Sequence, residues 1–423
     1  MASLRLVITA ILLLQLLCAS AADTMTGIFC ERIRSLQVHL EGNPFGLPVV
    51  VLNSGDRILI EFDHLSEDRE YFRYSLQHCN SHWQPSGLVD SEFLDGFNEG
   101  IIENYEFSQA TSVHYVHYGL TIPNDEVCPT ISGNYLLRVY PESEPDSTVL
   151  QCRFMVSEQI APIAVDITTA TDIDYRKEHQ QLSVSVDTER AMVEDPFNDL
   201  FVVVGQNGRL DSETAFRQPL KMLGTTAVFE HRPELIFEAG NEYRRFETVS
   251  DFYPGMGVDY IEYYDPYYHY TLYGDEPRDQ QEYIYDSTQG GRYFIRRLNA
   301  DDSNTEADYG VVHFALNIPE MPGAMIFLDG DFVQRRFEPN SQMQYNHANG
   351  RYERAMLLKQ GAYNYQYLVV PPGAHRGYTA QIEGNKYQTT NTYFVRVYHH
   401  RRGERYDRLI GVAVVSSDDT QNR

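Results

Sequence analysis

The residues best suited to chemistry fall in three places, and each fails on number or spacing. His78-Cys79-Asn80-Ser81-His82 sets a thiol between imidazoles, donor types that zinc takes. A zinc site needs four ligands, and no second cluster stands at zinc-finger spacing, so this tract reads as a strand end carrying a cysteine. His114 and His117 lie three apart in a strand-like stretch and therefore face opposite sides; adjacent His399 and His400 fail by the same geometry. Asp302, Asn304 and Glu306 place oxygens at alternate positions, as in part of a calcium loop. The turn glycine and the distal glutamate are missing, which makes a solvated acidic turn the better reading. The chain has no Gly-x-Ser-x-Gly, no His-Glu-x-x-His and no glycine-rich phosphate loop. Paired carboxylates are everywhere in so acidic a chain, and without a pocket they do not mark acid–base chemistry. The expectation is a protein that is not an enzyme and uses no metal or cofactor.

What stands out instead is a surface-forming segment. Between Tyr253 and Tyr285 lie ten tyrosines and seven acids against one basic residue, Arg278. Doublets such as Tyr263-Tyr264 and Tyr267-Tyr268 put a phenol on both faces of any strand. One side is core, and the other ring is exposed or docked. Tyrosine adds contact area at low entropy cost, so Tyr260, Tyr263, Tyr264, Tyr267, Tyr268 and Tyr270 are the candidate partner surface. The competing reading is an aromatic belt between domains of the same chain.

Such a surface needs a scaffold, and the composition says which kind. Net charge is −26, a field that repels nucleic acid and anionic lipid. Only four lysines occur, so nearly all positive charge is arginine, whose planar fork suits carboxylate pairing and interfaces. There are 31 tyrosines and a single tryptophan, Trp83.

Arg5, the apolar run Leu6–Leu17 and Ala19-Ser20-Ala21 read as a secretory signal, with the mature chain starting at Ala22 or Asp23. Lipidation at Cys18 is disfavoured by the bulky Leu17 before it. No later run is long enough for a transmembrane helix, so no direct membrane insertion is expected. Cys30, Cys79, Cys128 and Cys152 remain in the exported part. An even count in an exported chain suggests disulfides. Cys128 and Cys152 flank the hairpin Gly133–Tyr140 and Leu150–Val156, and they are the pair expected to bridge.

Short β-rich runs punctuated by Gly, Pro, Asn and Asp dominate the chain, with no long amphipathic helix. The reading is all-β: several tandem immunoglobulin-like or early-set β-sandwich domains. The expected division is a signal peptide at 1–22, an N-terminal sandwich at 23–158, a middle β domain with the tyrosine segment at 159–285, a C-terminal early-set-like domain at 286–416 and a tail at 417–423. Ile58, Ile60 and Phe62 alternate with Leu59 and Glu61, a period-two strand. Leu200-Phe201-Val202-Val203-Val204 is continuously apolar, which fits a strand buried on both faces. Asn207-Gly208 after it tolerates the positive φ of a tight hairpin turn.

Several tracts together resemble one family. Leu52-Asn53-Ser54-Gly55-Asp56, Tyr74–Asn80, Trp83, Glu92–Phe97, Asn104–Ser108, Tyr115–Tyr118, Leu120–Asn124 and Ser132–Leu136 are similar to the first domain of type IX secretion system plug proteins. Arg244-Arg245-Phe246, Gly255–Asp259, Tyr285–Gln289 and Gly361–Tyr367 extend the likeness. The resemblance implies a periplasmic protein that binds the inner mouth of a giant outer-membrane β-barrel translocon and seals it when no cargo occupies the pore. No contact residues carry over, because no motif encodes them. Phe327–Phe332 and Leu358–Tyr367 also resemble early-set modules, some of them glycogen-binding. That likeness implies an alternative, a periplasmic carbohydrate-binding protein.

Overall fold

The computed structural model describes residues 23–418; the expected signal peptide and nearly all of the expected tail lie outside them. The period-two strands pair into sheets whose inner faces make three hydrophobic cores.

In the first domain, Ile58, Ile60 and Phe62 point inward from Ile58–His64, as their alternation predicts. That strand pairs with Ile33–Leu40 and Val116–Ile122, and Asn104–Phe107 closes the four-stranded sheet. Opposite it lies a six-stranded sheet built on Leu150–Ser157, Gly133–Pro141 and Phe72–Cys79. Phe62, Phe72 and Tyr118 pack ring against ring between the two sheets.

The expected Cys128–Cys152 bridge does not form, and all four described cysteines are free. On Val127–Pro129 the alternation buries Val127 and Pro129 and turns Cys128 outward. Cys152 sits opposite Leu137 and points into the core. Burial there raises its thiol pKa well above the usual range.

The second domain departs from the expected boundaries. Its five-stranded sheet is built on His179–Asp187, flanked by Ile163–Thr168 and Thr226–Phe229. The facing four-stranded sheet runs Arg209–Phe216, Leu200–Gln206, Thr392–His399, Arg408–Ser416. Its last two strands come from the end of the chain, so Tyr393, Val395, Val397 and Ile410 share a core with Val202 and Val204. The third domain is thus an insertion that leaves after Ile236–Glu238 and returns before Thr392. A boundary at 285/286 would cut it in two, because Tyr267–Leu272 pairs in parallel with Tyr309–Leu316. Strand pairing over such separations leaves no local signal in the chain.

The continuous apolar run at Leu200–Val204 reflects burial on both faces. Val202 and Val204 face the second domain's core. Phe201 and Val203 face outward, where they meet Trp83, Leu136 and Met155 of the first domain and Phe394, Tyr398 and Leu409 of their own. The first two domains are therefore packed sheet against sheet. Each large side chain buried there contributes about 1.5–3 kcal/mol. His82 stacks on Phe201, and Tyr398 Oη donates to Asn134 Oδ1 at 2.8 Å. The turn at Asn207-Gly208 has φ of 52° and 75°, the positive values its sequence anticipates.

The third domain packs a five-stranded sheet on a four-stranded one across an aromatic core of Phe246, Phe314, Tyr363 and Tyr365. The five-stranded sheet runs Val258–Tyr264, Tyr267–Leu272, Tyr309–Leu316, Arg351–Lys359, Gln344–Asn346.

Candidate partner-binding surface

The tyrosine segment forms an antiparallel hairpin, Val258–Tyr264 with Tyr267–Leu272, at the margin of the third domain. Val258–Tyr264 is the edge strand, with no further strand beyond it among the described residues. Its unpaired backbone groups are a template for an added strand. The register sorts the tyrosines. Tyr263 lies opposite Tyr268, with ring centroids 4.9 Å apart, and Tyr264 lies opposite Tyr267. Tyr260, Tyr263 and Tyr264 are exposed, Tyr264 at 58%, whereas Tyr267 and Tyr268 are half-buried.

Tyr270 is not part of the surface. It is 1% exposed and donates from Oη to Asp251 Oδ1 at 2.6 Å, with Gln360 beside it. One residue of alternation puts it in register with Ile261 on the core-facing side. Burial pushes the Tyr270 phenol up and holds the Asp251 carboxyl above its ordinary value.

The exposed rings keep their hydroxyls on local acids. Tyr263 Oη donates to Asp265 at 3.0 Å, and Tyr264 Oη donates to Glu262 at 3.1 Å. Phe252, Tyr253, Met256 and Tyr273, all exposed, widen the patch. Phe252 and Met256 were not among the candidates, and their signal in the sequence is adjacency to Tyr253. The surface is therefore apolar, tyrosine-rich and acidic, along an open strand edge.

What holds this hairpin relative to the first domain is a buried polar cluster that the sequence does not announce. Lys359 Nζ donates to Asp63 Oδ2 at 2.6 Å and to the carbonyl of Asn304 at 2.6 Å. Tyr309 Oη donates to the same Asp63 oxygen at 2.6 Å, and His117 Nδ1 lies 2.7 Å from Oδ1. His117 and His39 both reach Glu61 at 3.4 Å. Burial opposes the His117 charge, but its bonds to Asp63 and Glu61 prevail and raise its pKa to about 9. Burial likewise opposes ionisation of Glu61, and its bonds from His117 and His39 bring it down to about 2. The amides of Ser112 and Val113 donate to Asp308, the first at 2.5 Å. Tyr115 Oη donates to the carbonyl of Ala307 at 2.8 Å.

The residues first weighed for metal are engaged elsewhere. His78 is buried against Ser86 and the Ser132 carbonyl. Asp302 caps the short helix Ser303–Glu306 through the amide of Asn304, and Glu306 accepts from the amides of Asp301 and Asp302. Among the described residues no three His, Cys, Asp or Glu side chains gather as a metal site. Phe327, Leu328 and Phe332, which carried the likeness to glycogen-binding modules, are core residues. Trp83, 6% exposed, lies under the Arg153 guanidinium, 4.3 Å from its ring centroid.

Fold and surface define a class: a three-domain β-sandwich protein with an exposed, tyrosine-rich strand edge. Residues 33–158 match the family model for the first domain of the type 9 secretion system plug protein. A solved structure of a hypothetical protein from Parabacteroides merdae is 39% identical, with a TM-score of 0.92, over 94% of this chain and all of that one. No curated protein matches the chain. The first domain of the chain thus belongs to the type IX secretion system plug protein family.

Proposed function

We propose that the protein is a periplasmic plug subunit of the type IX secretion system. It binds the periplasmic opening of the giant outer-membrane β-barrel translocon and seals it while no cargo is present. The observation that carries this reading is the family match over residues 33–158. The architecture supports it. A stopper must resist deformation, and here three sandwiches are fixed to one another by a shared apolar layer and a buried ion-pair cluster. Its task is to cover area, with no bond made or broken. Among the described residues no helix is long and apolar enough to cross a membrane, which fits attachment through the translocon. The open acidic edge at Val258–Tyr264 is offered as part of the contact, toward a partner presenting a strand edge and basic side chains.

Tagged protein recovered from solubilised outer membranes should carry the large barrel with it. A strain lacking the protein should become permeable to a periplasm-excluded dye while secretion is idle. An intact permeability barrier in that strain, with the translocon present and empty, would sink the proposal.

A further inference from the structure

Where the three domains meet they border a partly open cavity of about 210 Å³. Its walls come from all three: Leu36 and Leu47 from the first, Leu210 and Phe394 from the second, Tyr293 from the third. By comparison, a dry apolar cavity of roughly 150 Å³ is enough to hold benzene. The cavity's charged lining is unbalanced. Arg396 is paired with Glu213, and Arg335 with Asp331 and Asp329. Arg153 and Arg292 also line it, and among the described residues neither has an ion pair. Arg153 donates to the Thr24 carbonyl at 2.7 Å and to the Thr24 hydroxyl at 3.3 Å, and its guanidinium rests on the Trp83 ring. Leaving a guanidinium half-buried without a carboxylate is costly, the more so as this chain carries 60 acids.

From this geometry we infer that the cavity is a binding site for a small organic carboxylate with an apolar tail, its head at Arg153 and Arg292 and its tail against the leucines and Phe394. Two forked guanidiniums match a carboxylate, and the apolar walls discriminate against a bare inorganic anion. Burial has pulled Arg153 down to about 10 and lowers Arg292 as well, because desolvation outweighs the attraction of the acids around them. Because each wall belongs to a different domain, occupancy also ties the domains together. The site is independent of the role in secretion.

The test uses Trp83, the only tryptophan, as a built-in reporter on the cavity wall. The exported chain is titrated with 3-phenylpropionate and, separately, with its uncharged amide. The acid is expected to change the fluorescence saturably and to raise the unfolding temperature, with the amide at least tenfold weaker, about 1.4 kcal/mol. Arg292→Gln, which breaks no ion pair, should weaken the acid by a similar factor and leave the amide unchanged. Should that variant fold poorly, raising the salt on the unmodified protein tests the same charge dependence. Equal affinity for acid and amide, or no saturable response up to about 10 mM, overturns the inference.

Discussion

Lys359 of the third domain and Asp63 of the first lie 2.6 Å apart, nitrogen to oxygen, and both are sealed from solvent. Neither charge has water to fall back on, so each depends on the other and on Tyr309, His117 and the Asn304 carbonyl. Lys359→Met should therefore cost about 3–5 kcal/mol, because it strands a buried carboxylate. Lys359→Met combined with Asp63→Asn should be less harmful than Lys359→Met alone. Urea denaturation of the two variants checks the order, and a double variant as unstable as the single one contradicts it.

The same cluster sets a pH response. His117 is raised to about 9 in the folded chain, against about 6.5 unfolded. Its contribution is complete below pH ~6.5 and is lost as pH climbs through ~9. Glu61 is lowered to about 2, so its contribution is present above pH ~4.5 and is lost as pH falls through ~2. The unfolding temperature should thus decline between pH 7 and 9.5, and His117→Gln should flatten that decline. A slope unchanged in the variant would assign the loss to other groups.

Replacing Tyr260, Tyr263 and Tyr264 by serine should leave the fold intact, since all three are exposed. It should reduce retention by the outer-membrane barrel at least tenfold, in line with a cluster of binding hot spots. Tyr270→Phe should behave oppositely. It should cost about 1–3 kcal/mol of stability by leaving Asp251 short of a partner, and it should not touch binding in the folded fraction. Full co-purification of the triple serine variant would remove the hairpin from the contact.

Ending the chain before Thr392 removes two of the four strands of one sheet of the second domain and opens its core. Such a truncation is expected to be insoluble or molten. A fragment spanning residues 241–385 keeps every strand of the third domain and should unfold cooperatively on its own. A soluble, cooperative product of the truncation would show that the C-terminal hairpin is dispensable.

The sequence by itself determined the class of fold and the nature of each strand. Period-two alternation at Ile58–Phe62 and the two-sided apolar run at Leu200–Val204 are local consequences of which faces are buried, so they can be read locally. The positive-φ turn at Asn207-Gly208 is local too. The exposed part of the tyrosine surface was legible for the same reason, from doublets that place rings on both faces. Only the tertiary structure decided the rest. Tyr270 turned inward because register is fixed by the neighbouring strand, and Cys128 and Cys152 were parted because each follows the pleat of a different sheet. The return of Thr392–His399 to the second domain, the meeting of Lys359 with Asp63, and the cavity where three domains close are contacts between residues far apart in the chain. Their energy comes from burial that exists only once the sheets are stacked, and no window of sequence contains it.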